Sequence, residues 1–205
     1  MIFMLTTLYL IRHAATAANL EVPAKLQGRG TDPVLAEIGI AQAVATRRLL
    51  ESTRIDACYT SPLRRAVETA TIIANGLPIT SIDALTECDV GRWEGLSWET
   101  IRESEPELYE RYMANPATFG YPDGESFGQV AERATPAITH LLESHVGQTI
   151  VVVSHHVVNR VYLAGVLGMP PAHARKVSLD NCGVSVVTHQ HGKTTLRTLN
   201  SIFHL

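Results

Sequence analysis

Concentrated positive charge is missing from this sequence: 17 lysines and arginines are scattered among 20 aspartates and glutamates, for a formal charge of −3. Without a basic run there is no electrostatic footprint for nucleic acid or for an anionic membrane surface. Cysteine is scarce as well. Cys58, Cys88 and Cys182 are odd in number and lack a CxxC spacing, which argues against a disulfide framework or a structural zinc site and points to a reducing cytoplasm. No apolar run is long enough for a bilayer: the opening stretch to Ile11 has no basic start and reads as a buried strand. With 45% apolar and only 18% charged residues, disorder is not the default, and 205 residues fit one core, a single domain over 1–205.

Within those limits the chain alternates short β-rich runs with helical periodicity. Leu5–Ile11, Ile55–Tyr59 and Thr149–Val153 read as strands, each ending at polar or ionisable residues. Helical spacing covers Leu35–Leu50, the run from Leu63 to Ile73, Phe127–Leu142, and a segment after Val153 that stops at Gly168. Ser61-Pro62 reads as a helix cap with proline in the first helical position, and Pro136 is expected to kink or divide its helix. Gly183–Thr188 and Thr194–Leu199 flank a turn and form a closing hairpin. The alternation predicts an α/β fold, a three-layer αβα sandwich with a mostly parallel central sheet flanked by helices. The less regular stretch from about 88 to 124, with Trp93, Trp98, Tyr109 and Tyr112, reads as a small helical lid insertion. An apolar sheet edge leaves a homodimer open.

In open α/β sheets ligands sit beyond the carboxyl ends of the strands. There this sequence puts Arg12-His13, Ser61-Pro62-Leu63-Arg64 and Ser154-His155-His156. Converging arginines and histidines suit a dianion, since guanidinium forks bind phosphoryl oxygens in pairs.

These segments resemble the histidine phosphatase (phosphoglycerate-mutase-like) superfamily. Arg12-His13 with Thr16 and Asn19 is similar to its opening motif, Ser61 to Ala70 to its second, and Ser154-His155 to its last. Leu85 to Gly95 resembles the segment that supplies the acid, and Pro122 to Ser126 is also similar. The resemblance implies a metal-independent phosphohydrolase of small phosphomonoesters, without cofactor, and a phosphoglycerate-mutase-like fold. It further implies His13 as nucleophile, Glu87 as proton donor, and Arg12, Arg64 and His155 as the phosphoryl clamp. Thr16, Asn19, Gln27, Gly28 and His156 are candidates for the substrate entrance, with His156 reading rather as a packed or supporting group. Ala14 and His156 stand where the family usually has glycine.

Several competing readings are present. Asp89 and Glu94 compete with Glu87 for the acid role, and Arg65 is expected at the surface. His189 and His191 form an HxH pair, read as solvated rather than metal-binding. Cys58 and Arg64 satisfy the C-x5-R spacing of cysteine-dependent phosphatases. Pro62 removes a backbone donor from that loop, however, and Cys58 reads as an inert strand residue. A mutase, or a non-catalytic phosphate-binding module, is the functional alternative. The Glu87-Cys88-Asp89-Val90-Gly91 segment resembles the phosphatase branch.

Overall fold

A computed structural model of the chain describes residues 4–205, so the first three residues of the opening apolar run lie outside the described residues. The strands are β1 (Thr6–Arg12), β2 (Ala57–Thr60), β3 (Ile79–Ser81), β4 (Thr149–Ser154), β5 (Val184–Gln190) and β6 (Lys193–Ser201). They form one sheet in the order β3-β2-β4-β1-β5-β6. β1 to β4 are parallel to one another, β5 runs antiparallel to β1, and β6 runs antiparallel to β5. The helices are α1 (Ala17–Leu20), α2 (Glu37–Leu49), α3 (Arg64–Ala74), α4 (Trp98–Ser104), α5 (Pro106–Ala114), α6 (Phe127–Ser144) and α7 (His156–Val166).

Strand periodicity accounts for the three layers. Alternate residues of a strand face opposite sides. Leu8 and Leu10 of β1, with Ile150 and Val152 of β4, join the core beneath α6 and α7. Ile11, Val151 and Val153 join Ala66, Ala70 and Ile73 of α3 on the other face. Burial on both faces is why these strands read as continuous apolar runs rather than as alternating ones. The mostly parallel sheet and the terminal hairpin are therefore as expected. His191 and Gly192 turn that hairpin with φ of 49° and 72°, the two left-handed positions that a tight two-residue connection requires. Strand β3 had no pattern of its own, being three residues long and half exposed.

Two expectations about proline are corrected. Helix α3 begins at Arg64 with Leu63 as its cap residue, not at Pro62. Ser61 is otherwise engaged, because its hydroxyl accepts from the Leu63 N–H and bonds His155. Pro136 does not divide α6, which runs unbroken over 18 residues. Proline deletes one donor, while Val130, Ala134, Ile138, Leu141 and Leu142 bury a continuous stripe along the helix. Its start is fixed by a reciprocal cap: Ser126 accepts from the Gln129 N–H, and the Gln129 side chain accepts from the Ser126 N–H.

Between β3 and α6 the chain forms a helical segment around an aromatic cluster. Trp98 stacks on Tyr112 with ring centroids 5.4 Å apart, and the Tyr112 hydroxyl donates to that of Tyr121. Trp93 is fully buried at the centre and donates its indole N–H to Glu105 at 2.8 Å. Among the described residues no helix is long and apolar enough to cross a membrane.

Candidate active site

The carboxyl ends of β1, β2 and β4 are adjacent because Arg12 pairs with Ser154, and Thr60 with Val153, in the ladders. His13, Ser61 and His155 leave the sheet one residue beyond those pairs. A cavity of about 550 Å³ opens there, with Arg12, His13, Asn19, Gln27, Glu87 and His156 in its wall. That size is in the usual range for small-molecule sites.

His13 is buried, and its main-chain N–H donates to the Ser154 carbonyl. Its Nδ1 lies 2.8 Å from the Ala14 carbonyl, an acceptor only, so Nδ1 carries the proton and Nε2 keeps a free lone pair. Burial, reinforced by the charges of Arg12 and Arg65, holds this imidazole well below its ordinary pKa, which makes it neutral at pH 7. The His155 ring lies 5.1 Å from it, centroid to centroid. Burial and Arg65 likewise keep His155 neutral. Its Nε2 is 2.7 Å from the Ser61 hydroxyl, and its buried Nδ1 has no protein partner.

Glu87 follows a short 3-10 turn and is also buried. One carboxyl oxygen accepts from the Cys88 N–H at 2.7 Å, the other from the Val157 N–H at the start of α7 at 3.2 Å. Burial raises its pKa against the lowering effect of the Cys88 bond and Arg65. The competing carboxylates are occupied elsewhere. Asp89 pairs with Arg29 at 2.7 Å, and Glu94 accepts from the Gly28 and Gly30 N–H groups and the Thr31 hydroxyl. Arg12 donates to the Leu179 carbonyl, leaving Nε without a partner, and burial pulls its pKa to about 10, so it remains a cation.

The two adjacent arginines are exchanged relative to expectation. Arg64, expected in the clamp, is outside the site: its side chain is 62% exposed and pairs with Glu68 at 2.8 Å. Arg65, expected at the surface, is fully buried, donates to the Thr31 and Gly28 carbonyls at 2.8 Å each, and has an unpartnered Nε. The reason is helical phase. Successive residues of a helix diverge by about 100°, and Arg65 shares the inward stripe of Thr69 and Ile73, whereas Arg64 does not. Counting that stripe back from Ile73 would have picked out Arg65 from the sequence.

Of the entrance candidates, Asn19, Gln27 and His156 line the cavity, and Thr16 and Gly28 do not. Thr16 donates its main-chain N–H to Asn19 and its hydroxyl to Gln27, and so sets their positions. A Cβ on Gly28 would meet the Cys88 carbonyl oxygen and Val90 at 2.7 Å, so this position requires glycine for close approach. Ala14 does not crowd the cavity, because it packs with Leu35, Ala43 and Cys182. Neither Ala14 nor His156 has a positive φ, so neither needs the freedom of glycine. His156 does enter the cavity wall, where its Nε2 meets the Arg160 guanidinium. Arg160, Arg175, Asp180 and Asn181 were not anticipated. Arg160 alone carried a signal, lying one helical turn after His156. Asn181 donates to the His13 carbonyl at 2.9 Å. Cys58 is buried in the strand, and burial raises its thiol to about 12, out of the nucleophilic range. His189 bonds Thr194 within the hairpin.

A neutral, tautomer-fixed imidazole, a carboxyl whose pKa burial raises, and two guanidinium groups with buried, unpartnered Nε atoms define a phosphoryl-transfer type of site. The family model of the histidine phosphatase superfamily (branch 1) matches residues 8–202, and the chain belongs to that superfamily of phosphatase-type hydrolases. Phosphoserine phosphatase 1 of Hydrogenobacter thermophilus is 32% identical over 97% of this chain and 93% of that protein. Among solved structures, Bacillus stearothermophilus YhfR superposes with a TM-score of 0.89 at 31% identity, covering 97% of this chain and 98% of that one. A phosphoserine phosphatase variant of Entamoeba histolytica, solved with phosphoserine, gives 0.87 at 32% identity, covering 98% and 99%.

Proposed function

We propose that the chain hydrolyses small phosphomonoesters, phosphoserine among them, through a phosphohistidine on His13. The observation that carries this reading is the bond between His13 Nδ1 and the Ala14 carbonyl, within a cavity shared by Arg12 and Glu87.

In the first step Nε2 of His13 attacks phosphorus, forming a P–N bond as the ester P–O bond breaks. An alkoxide is a poor leaving group, so Glu87, in its acid form, gives its proton to the departing oxygen. Burial of Glu87 favours that form. In the second step Glu87 takes a proton from water, whose oxygen attacks phosphorus and breaks the P–N bond. The products are the free alcohol and inorganic phosphate.

Arg12, Arg65 and His155 hold the phosphoryl oxygens. Each carries a buried nitrogen without a protein partner, the kind of group a bound anion satisfies. The Ser61 hydroxyl, whose oxygen already accepts the Leu63 N–H, gives its proton to the bond with His155 Nε2 in this reading, so the ring proton sits on Nδ1 and donates to the phosphoryl group. Preorganised cations stabilise both transition states in place of a metal ion. The helical segment over 88–124 acts as a lid whose Trp98, Tyr112 and Tyr121 shape the substrate end of the cavity.

The test is phosphate release from O-phosphoserine in EDTA, together with recovery of acid-labile label on His13 after rapid quenching. H13A should lose both. Undiminished turnover by H13A, or label on a thiol, overturns the reading. Conversion of 3-phosphoglycerate to 2-phosphoglycerate without phosphate release would instead identify a mutase.

A further inference from the structure

The cavity holds more positive charge than a phosphoryl group requires. Its charged lining comprises Arg12, Lys25, Arg160 and Arg175 against Glu87 and Asp180. Lys25 is neutralised by Glu21 at 2.7 Å, and Asp180 accepts from the Asn200 side chain at 2.6 Å. The ion pairs among the described residues include none with Arg12, Arg160 or Arg175. Arg12 belongs to the phosphoryl end, which leaves Arg160 and Arg175 without a counter-ion.

Both are held in place. Arg160 projects from α7 one turn after His156 and bonds its Nε2, while its own Nε is buried and unpartnered. Arg175 follows α7 in the 3-10 segment Pro171–Lys176, with its guanidinium carbon 5.6 Å from the ring centroids of both Trp98 and Tyr112 and in contact with the Met113 sulfur. The two cations oppose each other electrostatically. Like charges kept close in a partly desolvated cavity are unfavourable unless an anion joins them. Arg175 stands on the aromatic side of the cavity, against Trp98 and Tyr112, whereas Arg12 and His13 stand at the carboxyl end of β1.

We propose that Arg160 and Arg175 form a second anion subsite that receives the carboxylate of a phosphomonoester whose carboxylate and phosphate are joined by a short carbon chain. Guanidinium forks match a carboxylate edge through two parallel hydrogen bonds. The aromatic wall of Trp98, Tyr112 and Tyr121 covers the carbon chain between the two charged ends. His156, standing in place of the family's usual glycine, supplies the acceptor that turns Arg160 into the cavity. The inference rests on the reading of this cavity as a phosphomonoester site.

O-phosphoserine and O-phosphoethanolamine differ by the carboxylate alone. Calorimetric titration of H13A, which cannot turn over, should show phosphoserine binding about ten-fold or more tightly than phosphoethanolamine, the effect expected of charge-assisted hydrogen bonds. R160Q and R175Q in that background should each bring the ratio to about three or less. Arg175 is exposed, so R175Q reports even where R160Q fails to fold. A ratio near one in the parent protein overturns the subsite, and a ratio unmoved by R175Q overturns the assignment to these arginines. Failure of the hydrolytic reading looks different, since the wild-type chain would then release phosphate from neither compound while the affinity ratio still decides the subsite.

Discussion

Arg65 reaches 37 positions back along the chain to donate through Nη2 to the carbonyl of Gly28, at 2.8 Å, and the carbonyl of Thr31 takes its Nη1 at the same distance. This bridge joins the first turn of α3 to the loop beside the cavity. The loop is held from its other side by Glu94, which accepts the Gly28 and Gly30 N–H groups. One buried cation therefore both braces the loop and places charge beside His13.

R65A should cost at least about a hundred-fold in kcat/KM, in the range seen when one preorganised electrostatic group is lost from a site. It should also destabilise the fold by about 2–4 kcal/mol, because two carbonyls lose a buried donor. R64A, by contrast, removes an exposed pair with Glu68, and should change stability by less than about 0.5 kcal/mol. Steady-state kinetics and urea unfolding of both variants check the exchange of roles directly.

Glu87→Gln should discriminate between leaving groups. Loss of the general acid should slow phosphoserine hydrolysis by about 10² to 10⁴, and slow p-nitrophenyl phosphate hydrolysis far less in the first step, because that phenolate leaves without a proton. Burst kinetics separate the two steps. Equal losses for both substrates in the first step would remove Glu87 from the role of proton donor.

The pH profile follows from the same two groups. Glu87 must be protonated for P–O cleavage, and burial raises its pKa, so activity on alkyl esters should fall as pH rises through that raised value. His13 must be neutral, and its pKa is depressed, so the acid limb should lie below the ordinary histidine range. The profile of kcat/KM is expected to be a bell, with its alkaline limb absent in E87Q.

Stability should move oppositely with acid. His13 and His155 are buried, His156 is partly exposed in the cavity wall, and all three are depressed below 6.5, each chiefly by desolvation. An unfolded chain therefore binds more protons than the folded one between the depressed values and about 6.5. The contribution is complete above that window and is lost as pH falls through it, by up to about 1.4 kcal/mol per pH unit for each histidine. Urea unfolding in phosphate-free buffer at pH 7.5, 6.5 and 5.5 measures the slope, and a flat profile would contradict depressed values for all three.

Gly28→Ala should be among the more damaging single-carbon additions. The new methyl would lie 2.7 Å from the Cys88 carbonyl oxygen, a backbone atom that cannot rotate away. Overpacking of this kind costs about 1–3 kcal/mol, and it should lower activity as well, because the Gly28 carbonyl anchors Arg65. Thermal unfolding alongside phosphate release measures both effects.

What the sequence determined by itself was set by contacts close along the chain. Strands buried on both faces read as apolar runs, and their polar ends marked where His13 and His155 would stand. The Leu-Thr-Glu segment singled out Glu87 only through its likeness to a family pattern, and Cys58 was legible as a core residue from its strand setting. Tertiary structure decided what depends on helical phase and on distant partners. The roughly 100° step between successive positions of α3 sends Arg64 to solvent and Arg65 inward. Arg160 and Arg175 line one cavity only because α7 and the 3-10 segment after it fold back toward the aromatic helices α4 and α5. Charge in a cavity is a sum over elements far apart in sequence, and Coulomb forces act through space, so no local pattern could announce that sum.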